Sequence, residues 1–162
     1  MNRQTFAVTT DQTLLVTTIQ GNLQVKGWER VELLIKSAQS APASVVEAPG
    51  HLEVNCPGDC IVRLPYNVGV NVQLVQGNAR FKLVEGSLQI EAVRGNLAVR
   101  NTGPAQIGRV HGDLLARQVR GDLGVEHCSG NVAVRDIQGA LEITQVGGNL
   151  DVRDAEGNLQ LT

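Results

Sequence analysis

The stretch VHGDLLARQVRGDLGVEHCSGNVAVRD, residues 110–136, consists of three nine-residue units that share one pattern. Glycine is the third residue of each unit, and it recurs at this spacing through the second half of the chain. A constant spacing of this kind is typical of stacked units that bury their apolar residues only against neighbouring units. The turn glycines are Gly77, Gly86, Gly95, Gly112, Gly121, Gly130, Gly139, Gly148 and Gly157.

Positions 1, 5 and 7 of the units in residues 75–162 are apolar, with Thr102 as the exception. Positions 5 and 7 alternate with an outward position 6, as in a half-buried strand. Because position 1 of the next unit breaks this alternation, a corner must lie between them. The glycine at position 3 predicts a second corner, where a residue without Cβ permits a positive φ or a close backbone approach.

The outward residues indicate how many units complete one coil. At position 8, alternate units carry a basic residue, whereas the intervening units carry Glu, Gly or Thr. Two units therefore predict one coil of about 18 residues. Position 4 follows the same period, and its Asn residues are expected to pair their amides along the stack. The predicted basic column, extended into the first half of the chain, is Lys26, Arg63, Lys82, Arg100, Arg117, Arg135 and Arg153.

These patterns predict an all-β fold: one single-stranded parallel β-solenoid over residues 1–162. Residues 1–74 form irregular N-terminal coils, and residues 75–162 form the regular nonapeptide array. Right-handed winding is expected from the usual preference of parallel crossover connections. In the irregular part, Trp28 is expected to begin a strand in which Val31, Leu33 and Ile35 point inward.

Composition limits the classes of partner. The formal net charge is -2 and aromatic residues make up 2% of the chain. Strong overall attraction to nucleic acid or to an anionic membrane is therefore excluded, and nucleic acid is further disfavoured because no aromatic stacking platform accompanies the cations. The start, MNRQTFAVTT, has no apolar signal region, and no apolar stretch is long enough to span a membrane. A cytoplasmic location is expected.

No arrangement of residues indicates catalysis. His51, His111 and His127 occupy different positions of the repeat, so they predict no metal site. No serine has a His and Asp partner at a spacing set by the repeat. The glycine and aspartate pattern of calcium-binding nonapeptide rolls does not recur either. We expect no enzyme activity and no cofactor.

Two of the three cysteines flank a predicted corner. Cys56 and Cys60 enclose Pro57-Gly58-Asp59, a spacing at which a turn can bring the two side chains together. The spacing is compatible with a disulfide and with a pair of reduced thiols. Reduced thiols are the ordinary state in an intracellular chain.

The surface pattern supports two functional hypotheses. The leading one is a scaffold protein that self-associates through its solenoid ends into dimers or filaments, because the final unit, residues 157–162, carries no capping feature. The alternative is a binding module whose basic column follows an anionic polymer or protein partner. Against the alternative, Asp136, Asp151 and Asp154 are candidates to neutralise the column.

Three segments carry a resemblance to a known family. GNLQVKGW at residues 21–28, CIVRLPYNVGVNVQL at residues 60–74 and the repeated G-[ND]-L-x-V units resemble a bacterial β-solenoid family of unknown function, the "putative adhesins". The resemblance implies a right-handed β-solenoid and no catalytic residues. The short glycine-punctuated repeats are also similar, more loosely, to those of bactofilins, which are cytoskeletal β-solenoids that polymerise end to end.

Overall fold

The structure, a computed structural model, describes residues 2–7, 13–37, 44–48, 50–157 and 159–161. These ranges contain no helix, and hence none that could span a membrane. Their strands, in chain order, are β1 (Asn2–Ala7), β2 (Thr13–Ile19), β3 (Leu23–Trp28), β4 (Glu32–Ser37), β5 (Ser44–Ala48), β6 (His51–Cys56), β7 (Cys60–Pro65), β8 (Gly69–Val75), β9 (Ala79–Lys82), β10 (Leu88–Val93), β11 (Leu97–Thr102), β12 (Ala105–Val110), β13 (Leu114–Val119), β14 (Leu123–Cys128), β15 (Val132–Ile137), β16 (Leu141–Val146), β17 (Leu150–Ala155) and β18 (Leu159–Leu161).

The strands form two nine-stranded sheets. Sheet A has the order β1-β4-β7-β3-β9-β11-β13-β15-β17, and sheet B has the order β18-β16-β14-β12-β10-β8-β2-β6-β5. Neighbours are parallel except in the pairs β1–β4, β4–β7 and β5–β6. From β6 onward, consecutive strands alternate between the two sheets. This all-β, mostly parallel arrangement is compatible with the predicted β-solenoid.

The first parallel strands of the chain do not lie at the end of the stack. β2 pairs with β6 and β8, and β3 pairs with β7 and β9. The segment from β2 to β3 is therefore inserted between two segments that follow it in sequence. The antiparallel strands β4 and β1 extend sheet A beyond β7, and β5 extends sheet B beyond β6. The stack thus departs from chain order in its first half.

The prediction around Trp28 is partly wrong. Trp28 ends β3 instead of beginning a strand, and its indole Nε1 donates a hydrogen bond to the carbonyl oxygen of Glu32 at 2.7 Å. Val31 lies in the turn before β4 and is 73% exposed, whereas Leu33 and Ile35 are buried as expected. A turn between β3 and β4, which do not pair with each other, therefore interrupts the alternation that the sequence predicts.

Left-handed residues lie at the carboxyl ends of the strands of the regular array in sheet A. Leu83, Asn101, Gln118, Asp136 and Asp154 have φ values of 59°, 53°, 55°, 60° and 55°. Each occupies position 9 of its unit. One residue in this conformation is left out of the strand pairing, as in a β-bulge, and it reverses the face to which the next residue points. Position 1 of the following unit can therefore point inward, like positions 5 and 7.

The inward positions form one apolar core. Positions 1, 5 and 7 are buried from Val75 through Ile143, and they pack in a single cluster with Leu14, Val25 and Val54 from the first half. Thr102 is fully buried at position 1, and its Oγ1 has no hydrogen-bond partner in the described part of the chain. This residue is the one polar interruption of the core pattern between residues 75 and 143.

Close packing explains the turn glycines. A Cβ on any of the nine predicted turn glycines would overlap an atom of the neighbouring turn. At Gly95, for example, it would meet Asn78 Oδ1 and the carbonyl oxygen of Gly77. Glycine could be required at these turns for a positive φ or for a close backbone approach. The described glycine with a positive φ is Gly50, which is not one of the nine, so close backbone approach is the reason.

Candidate functional site

The predicted cations lie in single file on the outer face of sheet A. Each is paired in register with the next one across neighbouring strands, so that successive cations are about 4.8 Å apart along the stack. In the regular array, paired residues are 18 positions apart in sequence, or 17 across the shortened unit. This basic column runs in the order Arg63, Lys26, Lys82, Arg100, Arg117, Arg135 and Arg153.

Of the three acidic residues expected to neutralise the basic column, only Asp151 contacts one of its members, at the end of the column. Arg153 Nε lies 3.4 Å from Asp151 Oδ1. Asp136 and Asp154 instead occupy left-handed corners and line a separate hollow that also contains Arg120. The remaining members of the column have no acidic partner among the described residues. Most members of the column therefore form no ion pair with an acidic residue in the described part of the chain.

Arg117 lies within the basic column, between Arg100 and Arg135. Its side chain is only partly exposed, and its Nε is buried without a hydrogen-bond partner in the described part of the chain. A buried donor without a partner costs about 1–3 kcal/mol. The column thus contains one buried donor that has no partner among the described residues.

A second column runs beside the first, at position 4 of the sheet A units. Every side-chain Oδ1 except that of the last member, Asn149, accepts a hydrogen bond from the backbone N–H of the next residue in the column, at 2.8–2.9 Å. The amides were expected to pair with each other, but they bind the backbone instead. We call this column the amide ladder: Asp59, Asn22, Asn78, Asn96, Asp113, Asn131 and Asn149.

A groove of about 720 Å³ follows the amide ladder along sheet A. The ladder residues from Asp59 to Asn131 form one wall. The floor consists of outward position 6 side chains, which are small or apolar over the later strands: Ala98, Leu115 and Ala133. Position 6 and position 8 are two residues apart on the strand, so the basic column lies about 7 Å from the floor. The small outward residues at position 6 can be read from the sequence, but the sequence alone does not show that they line a groove.

The outer face of sheet B has a different chemistry. Its outward positions carry Glu91, Glu126 and Glu142 along with Gln89 and Gln106, all exposed. The three histidines are dispersed: His51 Nε2 lies 3.2 Å from Glu53 Oε1, and His127 Nε2 lies 3.2 Å from Ser129 Oγ. No group of three or more potential metal ligands occurs among the described residues.

Cys56 and Cys60 meet at the corner between β6 and β7. Both are buried thiols in the structure. Burial raises the pKa of Cys60 to about 12, and the charge and hydrogen bonding of Cys56 add to this effect. Cys56 Sγ also donates a hydrogen bond to the carbonyl oxygen of Asp59 at 3.4 Å. The Cys60 thiol is therefore protonated at neutral pH.

The solved structures that are similar to this chain share little sequence with it. No protein-family model matches the chain, and no curated protein sequence is similar to it. A solved structure of a "putative cell adhesion protein" from Clostridium sporogenes is similar at a TM-score of 0.45 and 9% identity, over 94% of this chain and 98% of the other. A "putative lipid binding protein" from Parabacteroides distasonis has a TM-score of 0.25 and 9% identity, over 99% and 97% of the two chains. The resemblances to adhesin-like solenoids and to bactofilins stay predictions.

Proposed function

We propose that this protein is a non-enzymatic, right-handed β-solenoid of about 18 residues per coil, which binds a linear anionic polymer along the outer face of sheet A. The single observation that supports this function is the basic column, whose members lie in register and, except for Arg153, have no acidic partner among the described residues. A linear array of cations complements a linear array of anions.

The electrostatics of the column favour an anionic ligand. Unit charges about 4 Å apart repel by about 1 kcal/mol in water and by more near a protein surface. A polyanion that lies along the column relieves this repulsion and displaces the counterions around it. Affinity should accordingly fall as the salt concentration rises.

A pair of matched triple variants tests this function. Arg100→Gln, Arg117→Gln and Arg135→Gln together remove the centre of the basic column. Arg94→Gln, Arg109→Gln and Arg120→Gln together remove the same charge from exposed positions outside it. We expect the column variant to bind polyanions at least about tenfold more weakly at low salt, and the control to bind nearly as the parent does. Equal losses in the two variants would show that overall charge alone attracts polyanions.

Self-association is a second candidate role, favoured by the end of the stack around β17. Val146, Leu150, Val152 and Ala155 occupy inward positions but are only partly buried, whereas the residues paired with them in β14 and β15 are buried. Among the described strands, β17 pairs with β15 alone. An open parallel edge next to exposed apolar residues is a surface on which another strand can pair. We propose that a second copy of the chain covers it.

Light scattering over a concentration series tests the second role. The parent protein should form dimers or larger species, and Val152→Lys should reduce them because it places a charge at the contact. Circular dichroism shows whether this variant is folded. A parent protein that stays monomeric at the highest concentration would refute self-association without affecting the polymer-binding role.

A further inference from the structure

We infer that the groove and the basic column together bind an acidic polysaccharide, a linear polymer whose sugar units carry both hydroxyl groups and carboxylates. This inference rests on the proposed function and specifies its ligand. Three properties of the face carry it: the groups repeat once per strand, the amide ladder contains both donors and acceptors, and the floor lacks aromatic side chains.

The repetition indicates a polymer. The groove is lined at every step from Asp59 and Ile61 to Asn131 and Ala133 by one ladder residue and one floor residue. The basic column adds one cation at each of the same strands. Six strands about 4.8 Å apart give a length of about 24 Å. A compact ligand would occupy only part of such a groove, whereas a linear repeating chain can use equivalent groups along its whole length.

The amide ladder favours a ligand with hydroxyl groups. Each ladder residue that lines the groove has its Oδ1 occupied by a backbone N–H, and its remaining side-chain atom has no partner among the described residues. These atoms are Nδ2 donors on the asparagines and Oδ2 acceptors on Asp59 and Asp113. A hydroxyl both donates and accepts hydrogen bonds, so it can pair with either kind of atom. A polyphosphate chain has no donor for the aspartates and would be repelled by them.

The floor distinguishes sugars from nucleic-acid bases. Ala98 and Ala133 are small, and Leu115 is 42% exposed, so the floor over these strands is flat and apolar. Single-stranded nucleic acids usually bind through aromatic platforms on which their bases stack, and no aromatic residue lines this groove. The C–H faces of sugar rings can cover an apolar floor while their carboxylates reach the basic column. Gln24 and Arg80 make the floor more polar towards β3 and β9.

Calorimetry with four polymers tests the inference. Sodium polygalacturonate, polyphosphate and poly-L-glutamate are compared at equal charge and low salt, with neutral dextran as the uncharged polysaccharide. We expect polygalacturonate to bind at least about tenfold more tightly than the other two polyanions and dextran to bind more weakly than all three. Comparable or tighter binding of either of the other polyanions, or of dextran, would overturn the inference. If none of the three polyanions binds, the proposed function fails as well.

A groove variant tests the floor separately from the cations. Ala98→Gln with Ala133→Gln fills the floor without changing charge, and glutamine is tolerated at the same position of sheet B, as Gln89 and Gln106 show. The matched control is Ser87→Gln with Thr144→Gln, two exposed positions on the units of sheet B. We expect the floor variant to lose about tenfold in affinity for polygalacturonate and less than about twofold for polyphosphate. Equal losses for both polymers, or no loss for polygalacturonate, would contradict the use of the groove.

Discussion

The outer faces of the two sheets differ in chemistry although one nine-residue repeat builds both. In each sheet, positions 5 and 7 and the following position 1 are buried from Val75 through Ile143, and all of them except Thr102 are apolar. On the outside, position 8 is basic in sheet A, whereas sheet B has Glu91, Gly108, Glu126 and Thr144 there. Because the buried positions are the same, the fold does not require the difference. The outward positions are therefore where a function specific to this chain is encoded.

The largest expected effect is on the free energy of unfolding, and it distinguishes substitutions at inward positions of sheet B from substitutions at outward ones. Leu123 is 1% exposed, so Leu123→Asp would bury a carboxylate without a partner and should lower the free energy of unfolding by about 4 kcal/mol or more. Gln89→Asp introduces the same side chain at an exposed position and should change stability by about 0.5 kcal/mol or less. Urea unfolding of both variants measures the difference. Similar tolerance at the two sites would contradict the division between core and face.

A second comparison concerns a turn glycine, Gly95, and a glycine on the outer face of sheet B, Gly124. In Gly95→Ala, the new Cβ would meet the backbone of Gly77 and Asn78 Oδ1, so the turn must shift, at a cost of about 2–3 kcal/mol. In Gly124→Ala, it would meet only the flexible end of Gln106. There the change should be neutral or stabilising by up to about 1 kcal/mol, because glycine weakens a strand interior. Thermal melts of the two variants provide the test, and equal destabilisation would refute close packing as the reason for the turn glycines.

The corner between β6 and β7, which joins the two sheets, should make stability sensitive to alkaline pH. The Cys60 thiol is neutral when protonated, and its pKa is raised from 9.0 to about 12 in the folded protein. The folded state therefore holds this proton more tightly than the unfolded chain does. Its contribution to stability is complete below about pH 9 and is lost between about pH 9 and pH 12, by about 1.4 kcal/mol per pH unit.

Urea unfolding at about pH 8 and about pH 10.5 measures this loss, with Cys60→Ala as the control. The variant starts from a lower stability because it leaves a small cavity, but it should lose less on going to the higher pH. An identical decrease in both proteins would assign the alkaline sensitivity to other groups. A decrease that is absent from the parent protein as well would show that Cys60 is not shielded from water at this corner.

The sequence predicts the regular array more completely than it predicts the first half. Apolar residues at fixed positions determine which side chains are buried, and the period of the outward residues anticipates the register of Arg117 with Arg135. The insertion of β2 and β3 could not be predicted. Units such as Gly21-Asn22-Leu23-Gln24-Val25 offer nearly the same edge to any neighbouring unit, so periodicity indicates that units stack without specifying which ones are neighbours.

Other features of the face depend on details that a repeat pattern does not contain. The left-handed residues at position 9 include Leu83 and Gln118, which carry no sequence signal for that conformation. The amide ladder can be recognised in the sequence as a column of residues at position 4. The hydrogen bonds between its side-chain Oδ1 atoms and the backbone cannot be read from the sequence. The groove exists because Ala98 and Ala133 are small beside the ladder, and an outward alanine in a sequence is ordinarily of no consequence.

Among the substitutions at buried positions, Thr102→Val should have the smallest effect, and it tests whether the shortened unit is imperfectly packed. Its hydroxyl is buried and unpartnered at a position where the other units carry apolar residues. Thr102→Val keeps the branched shape and removes the polar atom, so it should raise the free energy of unfolding by about 1 kcal/mol. Val119→Thr, at the paired position of the next unit in sheet A, is the reciprocal control and should lower it by about 1–3 kcal/mol. If Thr102→Val instead destabilises the protein, the Thr102 hydroxyl makes a stabilising hydrogen bond, and the idea that the shortened unit is imperfectly packed is wrong.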